Sequence, residues 1–363
     1  MSKGAWNPSS KNTVPIQLPA TYLKSTNRST ITDEFDQDSP EDLVIILQET
    51  DDQLSEASKL LRQGIQQQQA GDLIAAIQSL EQSLEMFREV GDYQKQGQLL
   101  SLLALVTYTV GNYKKTIFYG QECLSLTSEI LDLSLQMQVL SHLGNAYRHL
   151  NDYDKAIDCL QESLQITELQ QDKRSQVAAL NNLGLVYKAS GNLRLAIEYQ
   201  EQSLKIVQEL QDNWGEEQVL KNLGNAWYGL DDYPKAIAYY EQCLKISRFL
   251  KNSRSASQVL KNLGNACYQL CEYAQAIVYY EERLHLAREL QDKRSEEQSL
   301  GSLGVACEAL GDYNKAITYY EERLLLAKTL KDRRSQEQAL ANLRVACYAL
   351  GDYAKAMQYQ QWT

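Results

Sequence analysis

The sequence predicts an all-α chain, a solenoid of antiparallel helix pairs stacked in series. A 40-residue register links Gly144, Gly184, Gly224, Gly264 and Gly304, and likewise Ala156, Ala196, Ala236, Ala276, Ala316 and Ala356. Apolar residues inside each 40-residue unit trace two successive 3.6-residue stripes, the mark of two amphipathic helices. Proline, which breaks helices, is confined to Pro8, Pro15, Pro19 and Pro40 apart from Pro234.

The sixth unit shows the pattern. Val259, Leu260, Leu263, Cys267 and Leu270 share one face of a first helix. Ser255 is expected as its N-cap, with Gln258 three residues on completing a capping box. Cys271-Glu272 marks the stop; Gly191-Asn192 and Gly311-Asp312 stand there in other units. The second helix starts near Tyr273, and Ala276, Ile277, Tyr280, Leu284 and Ala287 form its inner stripe up to about Leu290. Gly264 and Ala276 are small where the two helices must cross closely. A helix pair cannot bury its apolar faces alone, so stacking supplies the continuous core.

The register predicts eight units: 53–91, 92–131, 132–171, 172–211, 212–251, 252–291, 292–331 and 332–363. The eighth stops within its second helix and carries Arg344 at the Gly position, so its edge is expected to be frayed, covered by a partner, or once followed by more protein. Residues 1–40, rich in Ser, Thr, Asn and Pro, are expected to form a disordered leader. Residues 41–52, with the apolar run Leu43 to Leu47, are expected to cap unit one or to act as a linker.

The recurrence of Asn-Leu-Gly-Asn-Ala at 222–226 and 262–266 resembles the tetratricopeptide repeat family. Its small positions map to Gly264 and Ala276, and its large apolar positions to Leu260, Leu263, Cys267 and Tyr280. The 40-residue unit is most similar to the arrays of kinesin light chains, G-protein signalling modulators and bacterial regulators. The resemblance implies a right-handed α-solenoid whose first helices line a concave groove. Two departures stand out: the family's closing Pro is Arg288 here, and a usually small site holds Arg283 and Arg323, which predicts looser crossings in units six and seven.

With that groove implied, the stripe opposite the buried one names its lining. In unit three it is Gln138, His142, Asn145 and His149; in unit four it includes Asn182. In unit five it is Gln218, Asn222 and Asn225, and in unit six Gln258, Asn262, Asn265 and Gln269. Side-chain amides carry both a donor and an acceptor and so suit a peptide backbone. Leu102 and Leu105 in unit two make that end of the stripe apolar. Lys221 and Lys261 flank the amides and resemble part of a carboxylate clamp, but Gln298 and Ser302 stand where the clamp needs further cations, so the expectation is a preference for acidic peptides. A local pair of Glu217 with Lys221 is the competing reading.

Composition narrows the function classes. A formal net charge of −11 argues against nucleic acid and anionic membranes as partners. There is neither an apolar run of about 18 residues nor a signal-peptide core, and the seven Cys form no close-spaced framework, so a reducing, cytoplasmic setting is expected. Three His, a Cys267–Cys271 pair and no phosphate loop support neither a metal, a cofactor nor catalysis. The function expected is a non-enzymatic scaffold or adaptor that binds a protein or peptide in its groove. The alternative is the sensor arm of a bacterial signalling system that acts on an effector enzyme in trans.

Overall fold

The computed structural model describes residues 56–360, which form sixteen α-helices and, among the described residues, no strand. The first helices of the successive pairs are α1 (Glu56–Gln69), α3 (Tyr93–Thr109), α5 (Leu133–His149), α7 (Lys173–Ala189), α9 (Asn213–Gly229), α11 (Ser253–Gln269), α13 (Lys293–Leu310) and α15 (Arg333–Leu350). The second helices are α2 (Leu73–Val90), α4 (Tyr113–Ile130), α6 (Tyr153–Gln170), α8 (Leu193–Glu209), α10 (Tyr233–Phe249), α12 (Tyr273–Glu289), α14 (Tyr313–Thr329) and α16 (Tyr353–Gln360). The expected leader at 1–40 lies outside the described residues, as does the expected cap or linker at 41–52.

A 20-residue metre underlies the 40-residue unit. Before α2 and nearly every later helix comes a residue in the left-handed region, then a capping residue. Gly71, Gly91, Gly111, Gly191, Gly311 and Gly351 take the left-handed position without strain, whereas Leu131, Asn151, Gln171, Gln211, Asp231, Lys251, Cys271, Gln291 and Lys331 occupy it at a cost of roughly 1–2 kcal/mol each. Asp92, Asp132 and Asn252 then accept from the backbone N–H three residues on, at 3.0, 2.9 and 3.2 Å. The cap of α11 is therefore Asn252, not Ser255. Ser255 is already one turn inside and buried, and its hydroxyl accepts from that of Ser247.

The core alternates empty and large positions. A Cβ added at Gly264 would strike the Tyr280 ring, and at Gly224 the Tyr240 ring. Tyr240 and Tyr280 are buried, and each donates its hydroxyl to the first helix of its own unit, at Asn225 (2.8 Å) and Asn265 (2.7 Å). The adjacent tyrosines of the second helices divide: Tyr280 and Tyr320 fill the core, while Tyr279 and Tyr319 face neighbours. Tyr279 donates to Glu241 at 3.0 Å, Tyr319 to Glu281 at 2.9 Å and Tyr359 to Glu321 at 2.6 Å, always one unit back on the second-helix side. Burial, then the Glu241 acceptor, push the Tyr279 hydroxyl up to about 12. Arg288 returns the link one unit forward, to Glu322 at 2.6 Å.

First helices of neighbouring units approach each other directly, α3 to α5, α5 to α7 and α7 to α9, whereas second helices meet mainly through these long side chains. Over units two to five the stack therefore bends towards its first-helix side. Arg283 and Arg323, expected to loosen the crossings of units six and seven, are both taken up in the interior. Arg283 is 3% exposed and Arg323 9%, and both are hydrogen-bonded inside. Gly301 leaves room for Arg323, since a Cβ there would lie 3.0 Å from its Cζ.

Candidate partner-binding groove

The expected amide stripe lies on the first helices. Gln218 and Gln258 are exposed; Gln138, His142, Asn145, Asn182, Asn222, Asn225, Asn262 and Asn265 are half-buried. Units five and six are joined across it, because Asn262 Nδ2 donates to Asn225 Oδ1 at 3.1 Å and Gln258 Nε2 donates to Asn262 Oδ1 at 3.1 Å. The carbonyl oxygens of Asn225 and Asn265 also accept from the core tyrosines. Among the described residues their –NH2 groups make no hydrogen bond and are left as donors, a consequence of the Gly–Tyr packing that the amide spacing alone did not disclose.

Lys221 and Lys261 flank this stripe, half-buried, with no ion pair among the described residues. The local pair of Glu217 with Lys221 does not form. Glu217 is turned into the core at 0% exposure, where it accepts from the Ser247 hydroxyl and from Asn252 Nδ2 at 3.0 Å. Its position is i, i+4 from Lys221 in sequence, but it lies on the apolar side of α9, facing α10. Lys221 thus keeps its charge for the solvent side.

Two parts of the expected stripe lie elsewhere. His149 closes α5, where its ring stacks on Tyr113 of the preceding unit at 4.4 Å with an interplanar angle of 2° and meets the Tyr108 hydroxyl at 3.0 Å. It belongs to the turn edge; Gln269 holds the matching terminal position of α11 and is exposed. Leu102 is 6% exposed and packed in the core, so the apolar end expected at unit two is closed. On the same helix, a Cβ at Gly97 would stand 2.9 Å from Leu135 of α5, so α3 and α5 approach closely there.

The thiols are mostly core. Cys123, Cys243, Cys267, Cys307 and Cys347 are buried, and burial pushes Cys123 and Cys243 up to about 12 and Cys267 up to about 11. Cys271 is exposed in a turn at φ 61°, apart from the buried Cys267. Thiolate is the reactive form, and a raised pKa keeps the thiol protonated until the pH exceeds it. At pH 8 the native chain should therefore show one fast-reacting thiol, Cys271, of seven. Cys271→Ser should remove the fast phase in a thiol-exchange assay, with all seven reacting in denaturant.

The described residues contain no cluster of His, Cys, Asp and Glu able to hold a metal and no helix long and apolar enough to cross a membrane. No curated protein matches the chain. Similar solved structures include a Signal Transduction ATPase with Numerous Domains with a tetratricopeptide repeat sensor from Pyrococcus horikoshii (19% identity, TM-score 0.61, 87% of this chain and 54% of that one). They also include the apo quorum sensor NprR from B. thuringiensis (16% identity, TM-score 0.56, 89% of this chain and 90% of that one). A third is BtubC from P. vanneervenii (21% identity, TM-score 0.52, 61% and 91%). The chain thus spans about half the length of the first of these proteins. At such identities the likeness speaks for fold. Models of the tetratricopeptide repeat match residues 135–209, 216–289 and 299–334, together just over half of the sequence. With the paired helices, the Gly–Tyr crossings and the bend towards the first helices, this places the chain in the tetratricopeptide repeat family.

Proposed function

We propose that the protein is a non-catalytic scaffold or adaptor that binds an extended or helical segment of a partner protein along the first-helix groove of units three to six. The observation that carries this reading is the donor row: the –NH2 groups of Asn225 and Asn265 beside the ammonium groups of Lys221 and Lys261. The row is rich in donors, so it favours a segment offering carbonyl and carboxylate oxygens, an acidic peptide rather than nucleic acid. The fold likeness to a signal-transduction ATPase that carries a tetratricopeptide repeat sensor, and to a quorum sensor, supports the second reading, a regulatory arm that works with an effector in trans.

Asn222→Ala with Lys261→Ala tests the groove without unhooking the core, since neither side chain is hydrogen-bonded among the described residues. Partner capture from a lysate of the source cells, read by mass spectrometry, should fall about tenfold while circular dichroism is unchanged. Undiminished capture would refute the groove assignment. A co-captured enzyme would favour the regulatory reading.

A further inference from the structure

One column runs down the second helices at the 40-residue step: Ser83, Cys123, Ser163, Ser203, Cys243, Arg283 and Arg323. Ser83, Cys123, Ser163 and Cys243 donate to the first helix of their own unit, to the carbonyls of Ala57 (2.7 Å), Gly97 (3.3 Å), Met137 (3.3 Å) and Glu217 (3.2 Å). The arginines are too long for that bond, and each reaches the next first helix. Arg323 is neutralised on the way: its Nε donates to Glu297 at 2.7 Å, and its Nη2 donates to Gln338 at 3.2 Å.

Among the described residues Arg283 has no such counterion. The residue corresponding to Glu297 in its unit is Ser257, too short to reach and uncharged. Arg283 donates to Ser299 Oγ (3.2 Å), Ser295 Oγ (3.4 Å) and Gln298 Oε1 (3.0 Å), all neutral, and its buried Nε has no partner. Burial holds the guanidinium below its usual range, and the attraction of Asp292, beyond ion-pair distance, opposes this only in part. A desolvated cation without an anion is a costly arrangement for a chain that pairs the equivalent residue one unit later. The Nη2 end lies beneath Gln298, an exposed residue of α13, beside half-buried Ser295.

We propose that Arg283 is an oxyanion subsite of the groove between α11 and α13, which takes a Glu or Asp side chain of the bound segment. The carboxylate displaces the Gln298 amide oxygen from Nη2 and supplies the charge that Glu297 supplies to Arg323. Arginine's fork suits this planar acceptor. The inference rests on the groove reading and adds which chemistry one position of it selects.

The test uses the full chain and two end-blocked, fluorescein-labelled probes, hexaglutamate and hexaglutamine; blocked ends remove terminal carboxylates. Hexaglutamate should bind saturably and at least about tenfold more tightly than hexaglutamine. Arg283→Ser installs the residue of units three and four, and Ser257→Glu installs an internal counterion while keeping the guanidinium. Each should abolish the preference. In the wild type the Arg283 Nε proton resonance should shift with saturation while that of Arg323 stays fixed. Equal affinity for both probes, an unmoved Arg283 resonance, or a preference that survives in both variants overturns the subsite. Displacement by inorganic phosphate at lower concentration than by N-acetylglutamate amide would also overturn it, by assigning the site to phosphate. If the subsite fails while partners still crosslink to the first helices, the groove reading stands alone.

Discussion

Arg323→Met should destabilise the C-terminal half by about 3–5 kcal/mol, the typical cost of orphaning one member of a buried ion pair. Arg323 and Glu297 have side chains only 10% exposed and meet at 2.7 Å. Without the guanidinium, Glu297 is a desolvated carboxylate with nothing to replace it. Unit four shows how the fold manages without the pair, with Val177 and Ser203 at the corresponding positions, both buried. The double variant Glu297→Val with Arg323→Ser should therefore recover most of the loss. Urea unfolding, with amide exchange to localise the effect, measures both. A single variant as stable as wild type, or a double variant no better than the single, would contradict the assignment. Because each unit contacts only its neighbours, the exchange change should centre on units seven and eight and fade towards unit three.

Gly304→Ala should cost about 3 kcal/mol, at the upper end of ordinary overpacking. Its Cβ would lie 2.5 Å from Cδ1 of Tyr320, a ring with 0% exposure and no space to rotate into. The chain offers its own control. Where the Gly is lost, the partner has shrunk or changed: Arg344 stands opposite Gln360, and Ala104 opposite Gly120. Tyr320→Gly in the Gly304→Ala background reproduces the unit-two arrangement and should relieve the clash, although it leaves a cavity. The same urea experiment decides. Unchanged stability of Gly304→Ala would mean that Gly304 is not the crossing point.

The solenoid was legible because it is written repeatedly. One slip of phase would have broken the run of Gly144 to Gly304, and none occurs. The caps were harder to place. Ser255 fits the capping-box pattern, but the 20-residue metre of left-handed residue then Asp or Asn fixes the start at Asn252, and that metre was visible in Gly191-Asn192 and Gly311-Asp312, which read only as stops. The amides of units five and six sit half-buried or exposed on their first helices because their phase opposes the leucines. His149 and Leu102 lie elsewhere, since a helical stripe says nothing of what the neighbouring unit brings: Tyr113 captures the one and α5 covers the other. The largest omission was the arginine column. A long cation at a small-residue position reads as a defect in one sequence, and only the three-dimensional path to Ser299, Gln298 and Glu297 shows it to be filled space with charge attached.

Everything functional rests on the inside of the bend being the contacted face. Site-specific photocrosslinking addresses this directly, with p-benzoylphenylalanine at Gln258, exposed on α11, or at Val278, 52% exposed on the second helix α12. In a lysate of the source cells, the account predicts a crosslinked partner band from position 258 and none from position 278. A band from 278 with none from 258 would place the partner on the outer surface and contradict it.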